Sequence, residues 1–465
     1  MNDVIFDESV ADIDGAEFVS NKISRTETRD SLYTFDEVRK KVEAFLPNSA
    51  TALRVMFAVA ASGIFRNRVM LWLLFVGAPS SGKTELVQLL RNSPNAYCLD
   101  NVTLNSFISG ERPTTKQKVF DLLPLLDRKC LVIKDWTVIF SLDEKMTKKI
   151  IGDMVGVYDK QLSKFSSRRG RVSYESEFSH LGCITPATLN HHHNYLNMIG
   201  PRFLCYTIMN PSIEDEKKSF DTIFSNQDRD GLEKEAREAV QSYLKTLTTR
   251  DMASVVKPLS SPTQDYLRIA ARFVSRARGI VILQSASFRD ESGNDITYYE
   301  PLETQIEQPW RAVQQLMELT RYLAFVCGKE EVGKDELEII KQVVISSMPA
   351  DRSQALRAIQ AKGGAITTKE LSEDIDRSNR TSRRMLDELS VLGILKKTKG
   401  SGQLANFYGV EDEFKDFICA EPTSPTVENM PDAEIESIFG ALIVRASCKS
   451  FPIVDSINKP NIVNK

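Results

Sequence analysis

The spacing of apolar and polar positions changes several times along this chain. Apolar residues recur every third or fourth position in "YTFDEVRKKVEAFLP" and "SATALRVMFAVAASGIF", a period that predicts two helices. The pattern then switches to short uninterrupted apolar runs, "LWLLFVG", "NAYCLD", "KCLVIKD", "HLGCITP" and "RFLCYTIM", separated by helical stretches. Runs of that length without polar alternation suit strands covered on both faces, so the rhythm predicts βαβ units and a parallel sheet. Charged helical sequence follows in "GLEKEAREAVQSYLKTL" and "PTQDYLRIAARFVSRARGIVI", then a polar break at "RDESGND" and a strongly amphipathic run from Pro309 to about Ser347. Residues 350–410 read as helix, helix, helix and hairpin, and beyond Ala420 the chain is proline-rich and irregular.

This order predicts an α/β protein in five parts. Residues 1–35 form an acidic, flexible N-terminal segment, 36–215 a sheet core, 216–350 a helical lid region, 351–411 a winged-helix unit and 412–465 an irregular tail. A length of 465 residues suits several domains, each able to bury its own core. With 42% hydrophobic and 26% charged residues the composition is that of an ordinary globular protein, and a net charge of −3 means that nucleic acid would have to be met by local basic clusters. The seven cysteines are scattered with no CxxC pair, which fits a reducing, cytoplasmic setting. The longest apolar run, residues 69–76, falls far short of the roughly 20 residues a membrane-spanning helix needs, and the acidic start lacks signal-peptide character, so no membrane is expected.

"GAPSSGKTE" begins at Gly77, directly after an apolar run and before the helical "TELVQLLRN". Gly77, Gly82, Lys83 and Thr84 have the spacing of a phosphate-binding loop. In such a loop glycines let backbone N–H groups face a β-phosphate, the lysine neutralises β- and γ-oxygens, and the threonine hydroxyl ligates magnesium. Gly77, Ala78, Pro79, Ser80, Ser81, Gly82, Lys83, Thr84 and Glu85 are therefore assigned to nucleotide, with ATP and Mg2+ as the expected cofactors. Hydrolysis needs a second strand that ends in acid. "CLVIKDWT" supplies Asp135, but Lys134 stands where an adjacent acid is usual. Asp135 either ligates the metal beside Thr84 or stands in the base position; Glu144, a few residues on, reads as solvent-exposed.

With loop and acidic strand in place the chain resembles the AAA+ ATPases. The likeness is to helicase-like members with a C-terminal winged helix, such as the minichromosome maintenance helicases and related ATPases of phages and mobile elements, and it spans about residues 45–410. It implies a P-loop AAA+ parallel-sheet core under a helical lid. "LGCITPATLN" looks like the sensor I strand, with Thr185 or Asn190 at its tip and Thr185 nearer the strand end. "MIGPRFLCYTI" looks like the segment that presents an arginine finger, here Arg202, and the helix beginning "PWRAVQQL" resembles a lid helix with Arg311 as the sensor II candidate. If both arginines act, ATP binds between subunits, which implies a homo-oligomer, most simply a hexamer.

Two clusters could meet DNA. In "YDKQLSKFSSRRGRVSYESEF", Lys160, Lys164, Arg168, Arg169 and Arg171 surround Gly170, as in a β-hairpin with a basic tip that grips phosphates without reading sequence. In the helicase-like subset a hairpin at this chain position projects into the central pore. In "SNRTSRRMLDELSVLG", Met385, Leu386, Leu389 and Leu392 face a core while Arg380, Thr381, Arg383 and Arg384 crowd the exposed N-terminal end, which a recognition helix puts into the major groove. Lys396, Lys397 and Lys399 would lie on the wing. His180, His191, His192 and His193 read as a polar loop near the sensor, since adjacent imidazoles point apart and no acid or cysteine has metal-site spacing. The expected function is an oligomeric, ATP-dependent, DNA-binding motor of helicase type. The alternative is a slow ATPase switch, a loader or a transposition or defence regulator, that acts on DNA without unwinding it.

Overall fold

The five apolar runs fold as strands of one parallel sheet: β1 Trp72–Val76, β2 Ala96–Leu99, β3 Cys130–Ile133, β6 Ser179–Ile184 and β7 Phe203–Thr207. Every position of β1, β3 and β6 is buried, which is why these stretches carry no polar alternation. The structure is a computed structural model that describes residues 33–112, 114, 120–192, 201–209, 212–225, 228–289, 295–398 and 406–419, all of one compact unit. The strand order is β2-β3-β6-β1-β7, so the chain leaves β1 for the far edge and returns through β3 and β6 before crossing β1 to reach β7. That reversal brings the C-terminal ends of β1, β3 and β6 together, where open parallel sheets bind ligands.

The helix Ala50–Ser62, buried along almost its whole length, lies between this sheet and the helix Trp310–Phe325, while Lys334–Ser346 packs directly against β7. Inside it, Arg54 pairs with the fully buried Glu336, donates to the Leu323 carbonyl at 3.1 and 3.2 Å, and shares Glu336 with Lys329 at 3.0 Å. A buried carboxylate with two cationic partners welds the first helices to the last. β7 is the sheet's edge, and side chains occupy its outward groups. Cys205 N donates to Ser347 Oγ at 2.8 Å, Thr207 N to Ser346 Oγ at 3.0 Å, and Arg278 to the Phe203 carbonyl at 2.9 Å. An edge so covered offers no ladder to another strand.

Residues 350–410 hold the helices Ala350–Ala361, Thr368–Asp374 and Asn379–Val391 and a three-stranded antiparallel sheet, β10 Ala365–Thr367, β11 Leu395–Thr398 and β12 Phe407–Val410, in the order β10-β12-β11. Two parts of the sequence-based division differ from the structure. The region 216–350 is not all helical: β8 Ile280–Arg289 and β9 Asp295–Gln305 form a long antiparallel ribbon. The irregular tail does not begin at 412, because the helix Asp412–Cys419 buries Phe414 and Phe417 against Phe273, with ring centroids 5.3 Å apart in both pairs. Residues 1–32 and 420–465 lie outside the described residues.

Candidate functional site

β1 delivers the chain into residues 77–82. Gly77 N donates to the Ile184 carbonyl at 3.2 Å, which ties the start of the loop to the end of β6. Ser80 at φ 61° and Gly82 at φ 77° are both left-handed, a conformation that costs glycine little and folds the backbone into an N–H-lined nest. Lys83 is buried and its Nζ donates to the Ala78 carbonyl at 2.8 Å, across the loop. Ser81 Oγ is buried without a hydrogen-bond partner, and a Cβ on Gly77 would come within 2.6 Å of it. A nest bent through two left-handed residues, a spare hydroxyl and a lysine resting on a loop carbonyl together fit a phosphate chain.

Asp135 follows β3, and its Oδ1 accepts from Thr137 N at 2.8 Å. Trp136 N donates to the Cys183 carbonyl at 2.9 Å, and Cys183 Sγ donates to the Lys83 carbonyl at 3.4 Å. Burial pushes the Cys183 thiol up to about 12; the Lys83 charge opposes this, Asp135 adds to it, and a Thr84 hydrogen bond opposes it. Lys83 and Trp136, the residue after Asp135, thus both bond to Cys183, which joins the start of the helix Lys83–Gln88 and the end of β3 to β6. Lys134 leaves that group for Asp100 at the end of β2, 2.8 Å away. Below Asp135, Trp136 Nε1 donates to His180 Nε2 at 3.0 Å, while His180 Nδ1 donates to the Leu131 carbonyl at 2.9 Å. Burial holds His180 down to about 3, so this imidazole is neutral and steadies the residue beside Asp135.

Thr185 stands just past β6 and caps the helix Pro186–His191, accepting from Thr188 N at 3.3 Å. Asn190 sits toward the other end of that helix, in a separate cavity of about 300 Å3 with Phe203 and Arg278. His191 and His192 lie edge to face at that helix's end, and His193 is outside the described residues. Glu85, which the sequence assigns to nucleotide, is instead engaged by Arg229, which reaches both carboxylate oxygens at 3.1 Å and stacks over the Phe45 ring at 4.8 Å. Nothing in the sequence marks Arg229, because the pair joins positions 85 and 229.

Arg202 and Arg311 come together. Arg202 directly precedes β7 and Arg311 lies in the first turn of Trp310–Phe325, and their guanidiniums stand 5.5 and 5.7 Å from the centroid of one ring, Tyr158. Tyr158 donates to the Met70 carbonyl at 2.9 Å, and Gln315 Nε2 donates to both Tyr158 Oη and the Arg202 carbonyl at 3.0 and 2.9 Å. Asp159 pairs with Arg202 at 3.5 Å. Burial, then the neighbouring Arg311 charge, hold Arg202 below its ordinary value. Met70 precedes β1 and Phe203 opens β7, so this cluster lies at the N-terminal ends of the strands. The length of β1, about 15 Å, separates it from the phosphate loop of the same chain. Arg311, assigned to nucleotide by the sequence, therefore does not belong to its own chain's loop.

The basic segment forms the antiparallel pair β4 Gln161–Ser166 and β5 Gly170–Glu175. Its charges are more fully paired than the sequence suggests. Arg169 is bound to the buried Asp121 at 2.7 Å, Lys164 to Asp153, Arg168 to Glu111 at 3.0 Å and Lys160 to Glu177 at 3.3 Å. Lys164 and Arg169, expected to face DNA, hold the hairpin onto the core. Arg171 is exposed, opposite Phe165, which is 79% exposed. In the C-terminal unit Arg380, Arg383 and Arg384 occupy the start of Asn379–Val391, with Arg383 3.7 Å from Asp387 and Arg384 3.6 Å from Glu388. Lys397 on β11 reaches Asp387, at 2.7 Å, and lies over the Tyr408 ring. Lys399 is outside the described residues.

No protein-family model matches the chain, and no curated protein matches it in sequence. Among solved structures it is similar in part to a full-length MCM homolog from Methanopyrus kandleri, at 11% identity and a TM-score of 0.40 over 67% of this chain and 60% of that one. It is also similar to the apo C-terminal region of NrS-1, at 10% identity and a TM-score of 0.25 over 81% of this chain and 76% of that one. Overlaps of this extent do not define a common fold, and the functional reading rests on the chain's own residues. No helix among the described residues is long and apolar enough to cross a membrane.

Proposed function

We propose that this chain is an ATP-hydrolysing motor of the AAA+ type that acts on DNA as a homo-oligomer, with a winged helix at residues 351–411. The observation that carries the reading is a divided site. Lys83 and Trp136, next to Asp135, bond to Cys183 at one end of the sheet, while Arg202 and Arg311 share the Tyr158 ring at the other. Phosphoryl transfer gains most from cationic groups placed around the transferring oxygens. An arginine pair beyond reach of its own loop serves that purpose only for a neighbouring copy.

In this reading residues 77–84 hold the phosphates, and Lys83 exchanges the Ala78 carbonyl for phosphate oxygens. Thr84 and Asp135 would hold magnesium, which supplies charge neutralisation and Lewis-acid polarisation at the terminal phosphoryl group. Thr185, at the tip of the central strand, orients the attacking water. The neighbour's Arg202 and Arg311 stabilise charge on the phosphoryl oxygens. Arg171 with Phe165 on the hairpin, and Arg380, Arg383 and Arg384 on the third C-terminal helix, would meet DNA.

A slow switch is the second reading, favoured by Lys134, which takes the place of an acid and is committed to Asp100. The deciding experiment is ATP turnover per chain across protein concentration, with and without single- and double-stranded DNA, alongside strand displacement. A motor should turn over faster per chain as concentration and DNA rise, and should separate strands. Turnover without displacement selects the switch, and a per-chain rate indifferent to both concentration and DNA defeats the divided site.

A further inference from the structure

The helix Ile213–Phe224 carries a stripe of exposed apolar side chains. Ile213 is 86%, Phe220 49% and Phe224 81% exposed, at spacings of seven and four residues that place them on one face, and Met209 just before the helix is exposed as well. Solvated helices do not ordinarily show large aromatic residues in register to water. Both flanks of this helix are anchored at the phosphate loop. Ile208 N donates to the Val76 carbonyl at 2.8 Å and its Cβ borders Gly77, while Arg229, just past the other end, pairs with Glu85. The chain on both sides of the stripe is therefore tied down beside the nucleotide loop.

The opposite end of the sheet is concave. A hollow of about 430 Å3 opens there, lined by Arg68, Tyr158, Lys160, Trp310 and Arg311 among others, with the Trp310 ring 68% exposed. Its charge is mainly positive, since Arg68, Lys160 and Arg311 line it against the single carboxylate of Asp159. The helix carries the opposite sign, with Glu214, Asp215, Glu216 and Asp221 against two lysines. One surface offers aromatic knobs, with Lys217 among them, on a helix of net acidic charge, and the other an aromatic-walled hollow with basic neighbours. Two different faces of one molecule that complement each other make a head-to-tail contact.

We infer that the helix Ile213–Phe224 of one copy seats its Phe220 and Phe224 face in the Arg68–Trp310 hollow of the next. This rests on the divided-site reading and gives it a docking element: the contact would carry Arg202 and Arg311 of one copy to the loop of another. Aromatic anchors in a desolvated hollow supply most of the affinity of such an interface, and the charges set its polarity.

The test uses two double variants of the full chain, Phe220→Asp/Phe224→Asp and Arg68→Glu/Trp310→Ala, examined by sedimentation velocity with a non-hydrolysable ATP analogue and magnesium. Wild-type chains should assemble, and each variant alone should remain monomeric. Mixed together, the two variants retain one intact pair of faces between them and should stop at dimers. Binding of a fluorescent ADP analogue to each variant within about threefold of wild type would show that the chains are folded and the loop is sound. Assembly of either variant at wild-type strength, or a mixture that stays monomeric, overturns the docking assignment while leaving the nucleotide loop intact. The same holds if Arg68→Glu/Trp310→Ala assembles normally but loses DNA, since the hollow would then be a phosphate site. Loss of ADP analogue binding by wild type would instead defeat the reading on which the inference rests.

Discussion

Lys134 and Asp100 face each other at 2.8 Å from the ends of the adjacent strands β3 and β2. The lysine that interrupts the acidic strand is thus spent on a neighbour away from the phosphate loop, and Asp135 remains as the carboxylate beside Lys83 and Thr84. Asp135→Asn should lower ATP turnover by about 100-fold or more with nucleotide affinity nearly unchanged, the size of effect expected when a positioned base or charge is lost. Lys134→Ala should leave turnover within about threefold, because exposed ion pairs contribute little. Steady-state kinetics on both variants decide it, and equal losses would return Lys134 to the reacting centre.

The two arginines over Tyr158 lead to a complementation experiment. Lys83→Ala removes the loop lysine but keeps both arginines, and Arg202→Ala keeps the loop but lacks the arginine proposed to act on a neighbouring copy. Each alone should be inactive. Mixed in equal amounts and allowed to exchange, they should regain roughly a quarter of wild-type turnover, the share of contacts in which an intact loop meets an intact arginine. A mixture as inactive as its parts would put Arg202 outside the reaction.

The hairpin separates two roles that the sequence merges. Arg171→Ala should reduce the slope of log affinity against log salt for single-stranded DNA by about 1, as loss of one phosphate contact does. Phe165→Ala should weaken binding by about 1–3 kcal/mol if the exposed ring stacks on bases. Arg169→Ala should act differently, lowering the thermal midpoint by removing the partner of the buried Asp121 carboxylate. Fluorescence anisotropy across a salt series, paired with thermal melts, distinguishes them; an unchanged salt slope for Arg171→Ala takes that residue off the DNA path.

The parts legible in the sequence are those whose pattern is local and unmixed. β1, β3 and β6 are buried at every residue, so their apolar runs admit no helical period, and the loop after β1 is a contiguous motif. The ribbon β8–β9 is hidden because its apolar residues do not alternate with polar ones at its start. Exposure alternates along β8 from Ile280 to Gln284, but the exposed Ile280 and Ile282 are as apolar as the half-buried Val281 and Leu283, so the sequence shows no period of two there, and "ARGIVI" reads as the end of a helix. Asp412–Cys419 left a signal in Phe414, Phe417 and Ile418, spaced three and four apart, which the nearby prolines obscure. The arginine cluster draws on positions 158, 202 and 311, and the neutralising acids of the hairpin on 111, 121 and 153. No window of sequence contains either group, so an exposed basic tip and a basic tip pinned to the core look alike until the chain is folded.

His180 makes the fold itself sensitive to acid. Buried between Trp136 and Leu131, it stays neutral in the folded chain down to about 3, whereas in the unfolded chain it takes a proton near 6.5. A folded-state value depressed in this way means that the unfolded chain binds the extra proton. The associated stability is fully present above about pH 6.5 and drains away as pH falls toward 3, at up to about 1.4 kcal/mol per pH unit. Glu307 and Glu318, whose carboxyls burial raises, work in the opposite sense, because the folded chain holds their protons more tightly. The contribution of His180 is therefore read from a difference. Urea unfolding of wild type and His180→Gln at pH 7.5, 6.0 and 5.0 should show a variant that is less stable at pH 7.5 but loses less on acidification, the gap narrowing by about 1–2 kcal/mol across the range. A gap that stays constant with pH would mean that His180 is protonated inside the fold, and the tautomer that links Trp136 to Leu131 would have to be abandoned.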